Sequence, residues 1–279
     1  MVNTNQAIST AKQILIKNDI DEREARLLLA FVLGINHQEL IKRNEISDEE
    51  YAKFLVVLEK RCQGIPYAYI VGHKEFMRLD FIVNKNVLIP REDTEVVVEQ
   101  VINLVNNCFS KKTINILDMC TGSGCIAISL ANYIEGAKVV AVDNSKEALK
   151  VASQNAVLNG VLITFIKSNL FNEIDLNTKF DIIVSNPPYI KTSVINSLQK
   201  EVKENEPMMA LDGGEDGLEF YRVIVKEAKK YLNPNGYLVF EIGYDQAEEV
   251  QKLLGIEEYK NIRVVKDYSS NDRVVIANI

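Results

Sequence analysis

The segment Asn186-Pro187-Pro188-Tyr189 holds the residue types best suited to chemistry in this chain of 279 residues. Because proline has a fixed φ and no backbone N–H, the two prolines make a stiff turn that presents carbonyl oxygens. The Asn186 side chain adds another oxygen, so the segment can accept hydrogen bonds from an NH2 group. A planar amide held in this way would aim its nitrogen lone pair at an electrophile, and the Tyr189 ring can stack on it. We therefore predict that these four residues are catalytic.

A second segment, residues 118–127, is predicted to be a nucleotide-cofactor loop. It follows a predicted strand and opens a helix, and Gly122 and Gly124 allow a tight turn close to a ligand. Asp143 lies about 20 residues further on, where a carboxylate can accept hydrogen bonds from both ribose hydroxyls. The loop also fits the Gly-x-Gly-x-x-Ala form of the NAD fingerprint. By itself it therefore leaves a dehydrogenase and a methyltransferase open.

The Asn-Pro-Pro-Tyr segment decides between these two chemistries. It directly follows the fourth predicted strand, which places it at the carboxyl edge of the sheet beside the cofactor crevice. Hydride transfer has no use for such a segment, whereas methyl transfer to a weakly nucleophilic amide nitrogen needs the orientation it offers. The only histidines, His37 and His73, lie far from both loops in the sequence, so we expect no strong base. We predict a methyltransferase that uses S-adenosylmethionine.

Composition excludes several other classes of protein. The net charge of −7 and the pI near 5.1 oppose electrostatic binding to a long phosphate backbone, so we expect no extended nucleic-acid binding. The cysteines form no CxxC pair and no His cluster accompanies them, so neither a metal site nor a disulfide framework is predicted. No stretch approaches the ~18 apolar residues of a membrane span. We expect an unprocessed monomer in the reducing cytoplasm, with no membrane contact.

Helices are predicted to fill the first part of the chain, from Ala7 to Gln63. Apolar residues recur there at the three- and four-residue spacing of an amphipathic face. Gly34 is a plausible helix end, and Ser47 with Glu50 forms a capping-box signature. These patterns predict a small helical bundle.

A hairpin and then an α/β domain are predicted to follow. Short alternating runs at 76–83 and 87–89 suit a β-hairpin, and buried strands alternate with helices beyond it. Such alternation predicts a parallel, doubly wound sheet that binds ligands at the carboxyl ends of its strands. A short loop joins the last two strands, which predicts an antiparallel pair. The predicted strands are 114–118, 138–143, 163–166, 180–186, 236–241, 261–266 and 273–277.

Several separate motifs resemble the PrmC (HemK) family of glutamine methyltransferases, which modify peptide chain release factors. Together they span nearly the whole chain. Besides the glycine loop they are Gln63-Gly-Ile-Pro-Tyr-Ala-Tyr-Ile-Val-Gly72, Leu88-Ile-Pro-Arg-Glu-Asp-Thr-Glu95, Asn186-Pro-Pro-Tyr-Ile190, Glu206-Pro207 leading to Ala210-Leu-Asp-Gly-Gly214, Asp216-Gly-Leu218, Glu241-Ile-Gly243 and Asn271-Asp-Arg-Val274.

The resemblance implies an α/β, Rossmann-like, seven-stranded class I methyltransferase fold with an N-terminal helical bundle and a β-hairpin linker. It implies a helical substrate-docking domain at 1–75, the linker at 76–90 and the methyltransferase domain at 91–279. The acceptor would be N5 of the glutamine in the Gly-Gly-Gln tip of class I release factors, held by Asn186 and the Pro187 carbonyl. The implied S-adenosylmethionine site comprises Cys120, Thr121, Gly122, Ser123, Gly124, Asp143, Asn169, Leu170 and Asn186.

One position departs from the family pattern, and some alternatives stay open. Glycine is common where this chain has Cys120, and a cysteine there would crowd the backbone slightly. Whether Arg91 and Glu95 act in the site or only in the structure is left open. The rival enzymes are an adenine-N6 DNA methyltransferase and a ribosomal protein glutamine methyltransferase. The rival outside the enzymes is a module that only binds release factor.

Overall fold

The computed structural model describes residues 1–110 and 113–279. The chain divides into two compact units, one comprising 1–72 with 199–205 and the other comprising 73–198 with 206–279. The α-helices are α1 Thr4–Lys17, α2 Glu24–Leu33, α3 Asp48–Cys62, α4 Tyr67–Val71, α5 Glu92–Cys108, α6 Cys125–Tyr133, α7 Lys146–Leu158, α8 Thr192–Ile195, α9 Lys200–Asn205, α10 Glu219–Ala228 and α11 Ala247–Ile256. Short 3-10 helices span His37–Lys42 and Met208–Ala210.

The first unit is a helical bundle, as predicted. Its core is formed by apolar faces of α1, α2 and α3, with Leu28, Leu29 and Phe54 fully buried. Two short strands, β1 Val2–Asn3 and β2 Glu45–Ile46, pair antiparallel beside them. The capping box is confirmed: the Glu50 N–H donates to Ser47 Oγ, and the Ser47 N–H donates to the Glu50 carboxylate.

A buried arginine ties α9 into this unit. The Arg61 guanidinium contacts Glu24 at 2.6 Å and Glu201 at 2.9 Å, and its side chain is only 8% exposed. The Asn205 side chain also donates to the carbonyl of Gly64. Residues distant in sequence therefore join the bundle, which the helical periodicity did not predict. That this unit docks a substrate stays a prediction.

The β-hairpin exists, but its predicted arms were wrong, because the turn lies inside the run 76–83 that was predicted as one arm. Strand β3 His73–Phe76 pairs with β4 Leu79–Ile82, whereas 87–89 is not a strand. The two-residue turn is Met77-Arg78, and both residues have positive φ. Such turns normally carry glycine or asparagine, so the local sequence gave no turn signal. Their backbone strain is offset by Glu95, whose Oε1 accepts the Met77 N–H at 2.6 Å.

Seven strands form one sheet within the described residues, in the order β10-β11-β9-β8-β5-β6-β7. Strands β5 to β9 run parallel, and β11 pairs antiparallel with both β9 and β10, which confirms the predicted last pair. The bounds are β5 Ile114–Met119, β6 Ala137–Asp143, β7 Ile163–Lys167, β8 Phe180–Ser185, β9 Leu232–Glu241, β10 Lys260–Lys266 and β11 Asp272–Asn278.

Both faces of this sheet are buried. Along β8, Ile182 and Val184 pack into one apolar cluster while Phe180 and Ile183 pack into the other. A strand with two covered faces is a continuous apolar run rather than an alternating one, as 180–185 is. Among the helices of the described residues, none is both long and apolar enough to cross a bilayer.

Candidate active site

The register of the central strands brings the two predicted loops together. Met119 of β5 pairs with Ser185 of β8, so the residues that follow them, Cys120 and Asn186, leave the sheet side by side. Chain order reverses between β5 and β8, and this is where ligands bind in doubly wound sheets. A cavity of about 550 Å³ opens there, within the range of small-molecule sites.

Most of the predicted site residues line this cavity. Those that do are Cys120, Thr121, Gly122, Ser123, Asp143, Asn169, Leu170, Asn186 and Pro188. Gly124, Pro187 and Tyr189 do not line it. Gly124 has a packing role instead, because a Cβ there would lie 3.0 Å from Ile128 and 3.1 Å from Ala152. The Tyr189 hydroxyl donates to Glu241 instead.

The glycine loop is joined to the neighbouring strand by its backbone. The Gly122 N–H donates to Asp143 Oδ2 at 2.8 Å, and the Ser145 N–H donates to Oδ1 at 2.8 Å. Burial nevertheless raises the pKa of Asp143, against the lowering effect of these bonds. Cys120 has φ of 64°, a left-handed conformation that favours glycine. This backbone conformation explains why the family pattern often has glycine at the position of Cys120.

Asp118, in strand β5, holds the glycine loop through hydrogen bonds. The Thr121 hydroxyl donates to its Oδ2 at 2.6 Å, and the Ala127 N–H donates to the same oxygen at 3.2 Å. Its Oδ1 has no hydrogen-bond partner among the described residues. Burial raises the pKa of Asp118 to about 7. The carboxyl group thus connects the loop to the first turn of α6.

Asn155 of α7 holds the other side of the loop. Its Nδ2 donates to the carbonyls of Ser123 at 2.9 Å and Ile82 at 3.0 Å, while its Oδ1 accepts the Ile82 N–H at 2.7 Å. The side chain is fully buried, and all three of these bonds reach distant parts of the sequence. It therefore links the loop to strand β4 of the hairpin.

The Asn186–Tyr189 segment is held by partners from several elements. The Tyr189 carbonyl accepts Gln246 Nε2 at 3.0 Å, and the Tyr189 hydroxyl donates to Glu241 Oε1 at 3.4 Å. Asn186 Nδ2 donates to Thr94 Oγ1 at 3.4 Å. Burial raises the pKa of the Tyr189 phenol, which therefore stays protonated and can serve as a donor.

Two glycines pack directly on this segment. A Cβ at Gly213 would lie 2.7 Å from Tyr189 Cα, and one at Gly217 would lie 2.5 Å from the Tyr189 carbonyl oxygen. Gly217 also has φ of 77°. The run containing these glycines is thus a close-fitting support for the predicted catalytic segment.

A buried carboxylate, that of Glu206, holds one wall of the cavity in place. Glu206 pairs with Arg91, and its Oε2 accepts the Ile89 N–H at 3.2 Å. Its side chain is 1% exposed. Arg91 and Pro90 line the cavity, as do Met208 and Met209 beyond Glu206. This contact gives Arg91 a structural role, which the sequence left open.

Burial disfavours the thiolate form of the two cysteines in the site. Burial raises the pKa of Cys125 to about 12 and raises that of Cys120 as well, so both stay protonated at neutral pH. Across residues 1–110 and 113–279, no cluster of three His, Cys, Asp or Glu could hold a metal ion.

Sequence reasoning missed several residues that position the site. Asn155 and Gln246 gave no local signal, because the bonds by which they hold the site reach partners at least 29 residues away. Glu206 and Glu241 fell within family motifs but were assigned no role, and Thr94 was left open between a structural and a functional role. Their burial and their partners identify them only once the chain is folded.

The sheet order, the antiparallel last strand and the glycine loop after β5 define a class I methyltransferase. Residues 98–215 match the family described as methyltransferase small domain, and residues 6–72 match the PrmC N-terminal domain. A release factor glutamine methyltransferase of Fusobacterium nucleatum subsp. nucleatum is 40% identical over 277 residues, covering 98% of this chain and 77% of its own. The corresponding protein of Thermodesulfovibrio yellowstonii is 38% identical, covering 97% of each chain. The chain belongs to the release factor glutamine methyltransferase family.

A solved structure shares the fold. The 16S rRNA N2 G1207 methyltransferase of T. thermophilus, determined with AdoMet and guanosine, has a TM-score of 0.52 to this chain. It is 16% identical, and the match covers 74% of this chain and 49% of that one. At this identity the likeness concerns the fold alone.

Proposed function

We propose that this protein transfers a methyl group from S-adenosylmethionine to N5 of the glutamine in the Gly-Gly-Gln tip of class I release factors. The observation that carries the proposal is the placement of Asn186 in one cavity with the glycine loop, in a chain of this family. The domain matching residues 6–72 would dock the release factor. The acidic net charge of −7 disfavours a duplex as the substrate.

The cavity fits the proposed cofactor. A Cβ at Gly122 would meet nothing within 4 Å, so the loop backbone faces open space that a ligand can approach. Residues Cys120 to Gly124, Asp143, Asn169, Leu170 and Asn186 would hold the cofactor, with the Asp143 carboxylate available to the ribose. When bound, S-adenosylmethionine supplies an electrophilic methyl group on a sulfonium.

The work of the protein is to orient the acceptor. Asn186 Oδ1 and the Pro187 carbonyl would accept the two hydrogens of the glutamine amide, which fixes the direction of its lone pair. Rigid acceptors also favour the positive charge that develops on the nitrogen. The surplus proton can pass to water afterwards, so the site needs no strong base.

The test measures transfer of labelled methyl from S-adenosylmethionine to purified unmethylated release factor, with Asn186→Ala as the control. An adenine-containing duplex and a ribosomal protein serve as parallel acceptors. The expected result is label on the release factor glutamine in the wild-type protein and only a small residual rate of labelling in Asn186→Ala. Label only in the duplex or the ribosomal protein would overturn the substrate assignment. Release factor binding without any transfer would favour a binding module.

A further inference from the structure

The Asn186 side chain can face the acceptor in two ways that have the same shape. Only its oxygen can accept an N–H from a substrate amide, whereas its NH2 end would repel one. Rotation of the amide by half a turn exchanges the two ends without changing the packing. A neighbouring group must therefore select the productive orientation.

Thr94 is the neighbour that contacts the amide. Asn186 Nδ2 lies 3.4 Å from Thr94 Oγ1, both residues line the cavity, and Thr94 is 2% exposed. A hydroxyl can accept from an NH2 or donate to an oxygen. Thr94 alone is therefore compatible with either orientation of Asn186.

Glu241 removes this ambiguity. Phe240 pairs with Ser185, so Glu241, the last residue of β9, lies beside Asn186. Its carboxyl is 1% exposed, and its Oε2 has no partner within hydrogen-bond distance in the described part of the chain. Thr94, Tyr189 and Arg273 all act on this carboxyl as neighbours. Burial raises the pKa of Glu241 to about 7, whereas Thr94, Arg273 and Tyr189 favour its charged form. In that charged form the carboxyl can only accept hydrogen bonds, so it draws the Thr94 proton towards itself.

We propose that Thr94 is a positioning residue that fixes the orientation of the Asn186 amide. With its proton directed at Glu241, the Thr94 oxygen offers only lone pairs to Asn186. The NH2 end of Asn186 must then face Thr94, which leaves Oδ1 for the substrate amide. This assignment rests on the proposed function, because it concerns how the same acceptor is held.

Three variants test the assignment. Thr94→Val keeps the side-chain shape and removes the hydroxyl, whereas Thr94→Ser keeps the hydroxyl. We expect Thr94→Val to lower kcat/KM for release factor roughly tenfold or more, because a buried amide loses its partner, and Thr94→Ser to restore it. Glu241→Gln should resemble Thr94→Val, since its NH2 can donate to Thr94 and release the Thr94 proton towards Asn186. Cofactor affinity should change little in Thr94→Val, and its melting temperature should fall by only a few degrees.

A double-mutant comparison separates positioning from a general structural effect. In an Asn186→Ala background, Thr94→Val should lower the residual transfer rate no further, because Thr94 acts through Asn186. An additive loss there would overturn the assignment, as would equal rates for Thr94→Val and Thr94→Ser. If the wild-type protein transfers methyl to release factor while Thr94→Val and Thr94→Ser have equal rates, only the Thr94 assignment fails and the proposed function stands. Absence of wild-type transfer would remove both proposals.

Discussion

Substitution of Gly213 by alanine tests whether the Asn186–Tyr189 segment is held in place by close packing. The added Cβ would lie 2.7 Å from Tyr189 Cα, 2.8 Å from the Tyr189 carbonyl carbon and 2.8 Å from the Pro188 carbonyl oxygen. All three atoms belong to the backbone, so no flexible side chain can move aside. Gly213 does not have a positive φ. The expected effect is therefore steric and involves no backbone strain.

The size of the effect follows from these distances. Carbon atoms pack at ~3.5 Å or more, so the two backbone segments must separate by roughly 0.8 Å. Displacement of reacting groups on the order of 1 Å can cost about 100-fold in rate. We therefore expect kcat to fall by roughly 10- to 100-fold. Overpacking of this kind should also lower the free energy of unfolding by ~1–3 kcal/mol.

Labelled methyl transfer measures the rate, and thermal denaturation measures the stability. Gly255→Ala is the matched control, because that glycine lies in α11, has no positive φ and would place its Cβ at least 4 Å from other atoms. It should keep full activity and gain ~0.5–1 kcal/mol of stability. If Gly213→Ala melted lower yet kept wild-type kcat, the loop carrying Gly213 would have moved instead, and the reasoning would be refuted.

Three further predictions concern the supports and thiols of the site. Asn155→Asp removes the donor to the Ser123 carbonyl, so calorimetric cofactor titration should show at least a roughly tenfold weaker Kd; an unchanged Kd would contradict this role. Because burial raises the pKa of Asp118 from 3.8 to about 7, the folded protein disfavours the charged form of this carboxyl. Unfolding free energy should therefore fall as pH rises from about 4 through about 7, and less so in Asp118→Asn. Iodoacetamide should label exposed Cys108 before buried Cys125 in the native protein, as read by mass spectrometry; the reverse order would contradict the burial argument.

The layers of the fold were predictable because their signals are local. An apolar run such as 180–185 identifies a strand covered on both faces, and Ser47 with Glu50 identifies a helix start. The first hairpin arm, His73–Phe76, was not predictable in this way. Met77 and Arg78 adopt a turn that their side chains disfavour, and the bond that offsets this comes from Glu95, eighteen residues away.

The predicted catalytic segment shows why its supports could not be found from sequence. Pro187 and Pro188 have no backbone N–H, so these two residues contribute no backbone donor that could anchor the segment. Much of its support therefore comes from distant residues: Gln246 donates to the Tyr189 carbonyl, and Gly213 packs on the Tyr189 backbone. The feature that makes the segment recognisable, a pair of prolines that leaves carbonyl oxygens free for a substrate, is thus also what moves its structural support to distant parts of the chain. A substitution at such a support should impair catalysis without touching a predicted site residue.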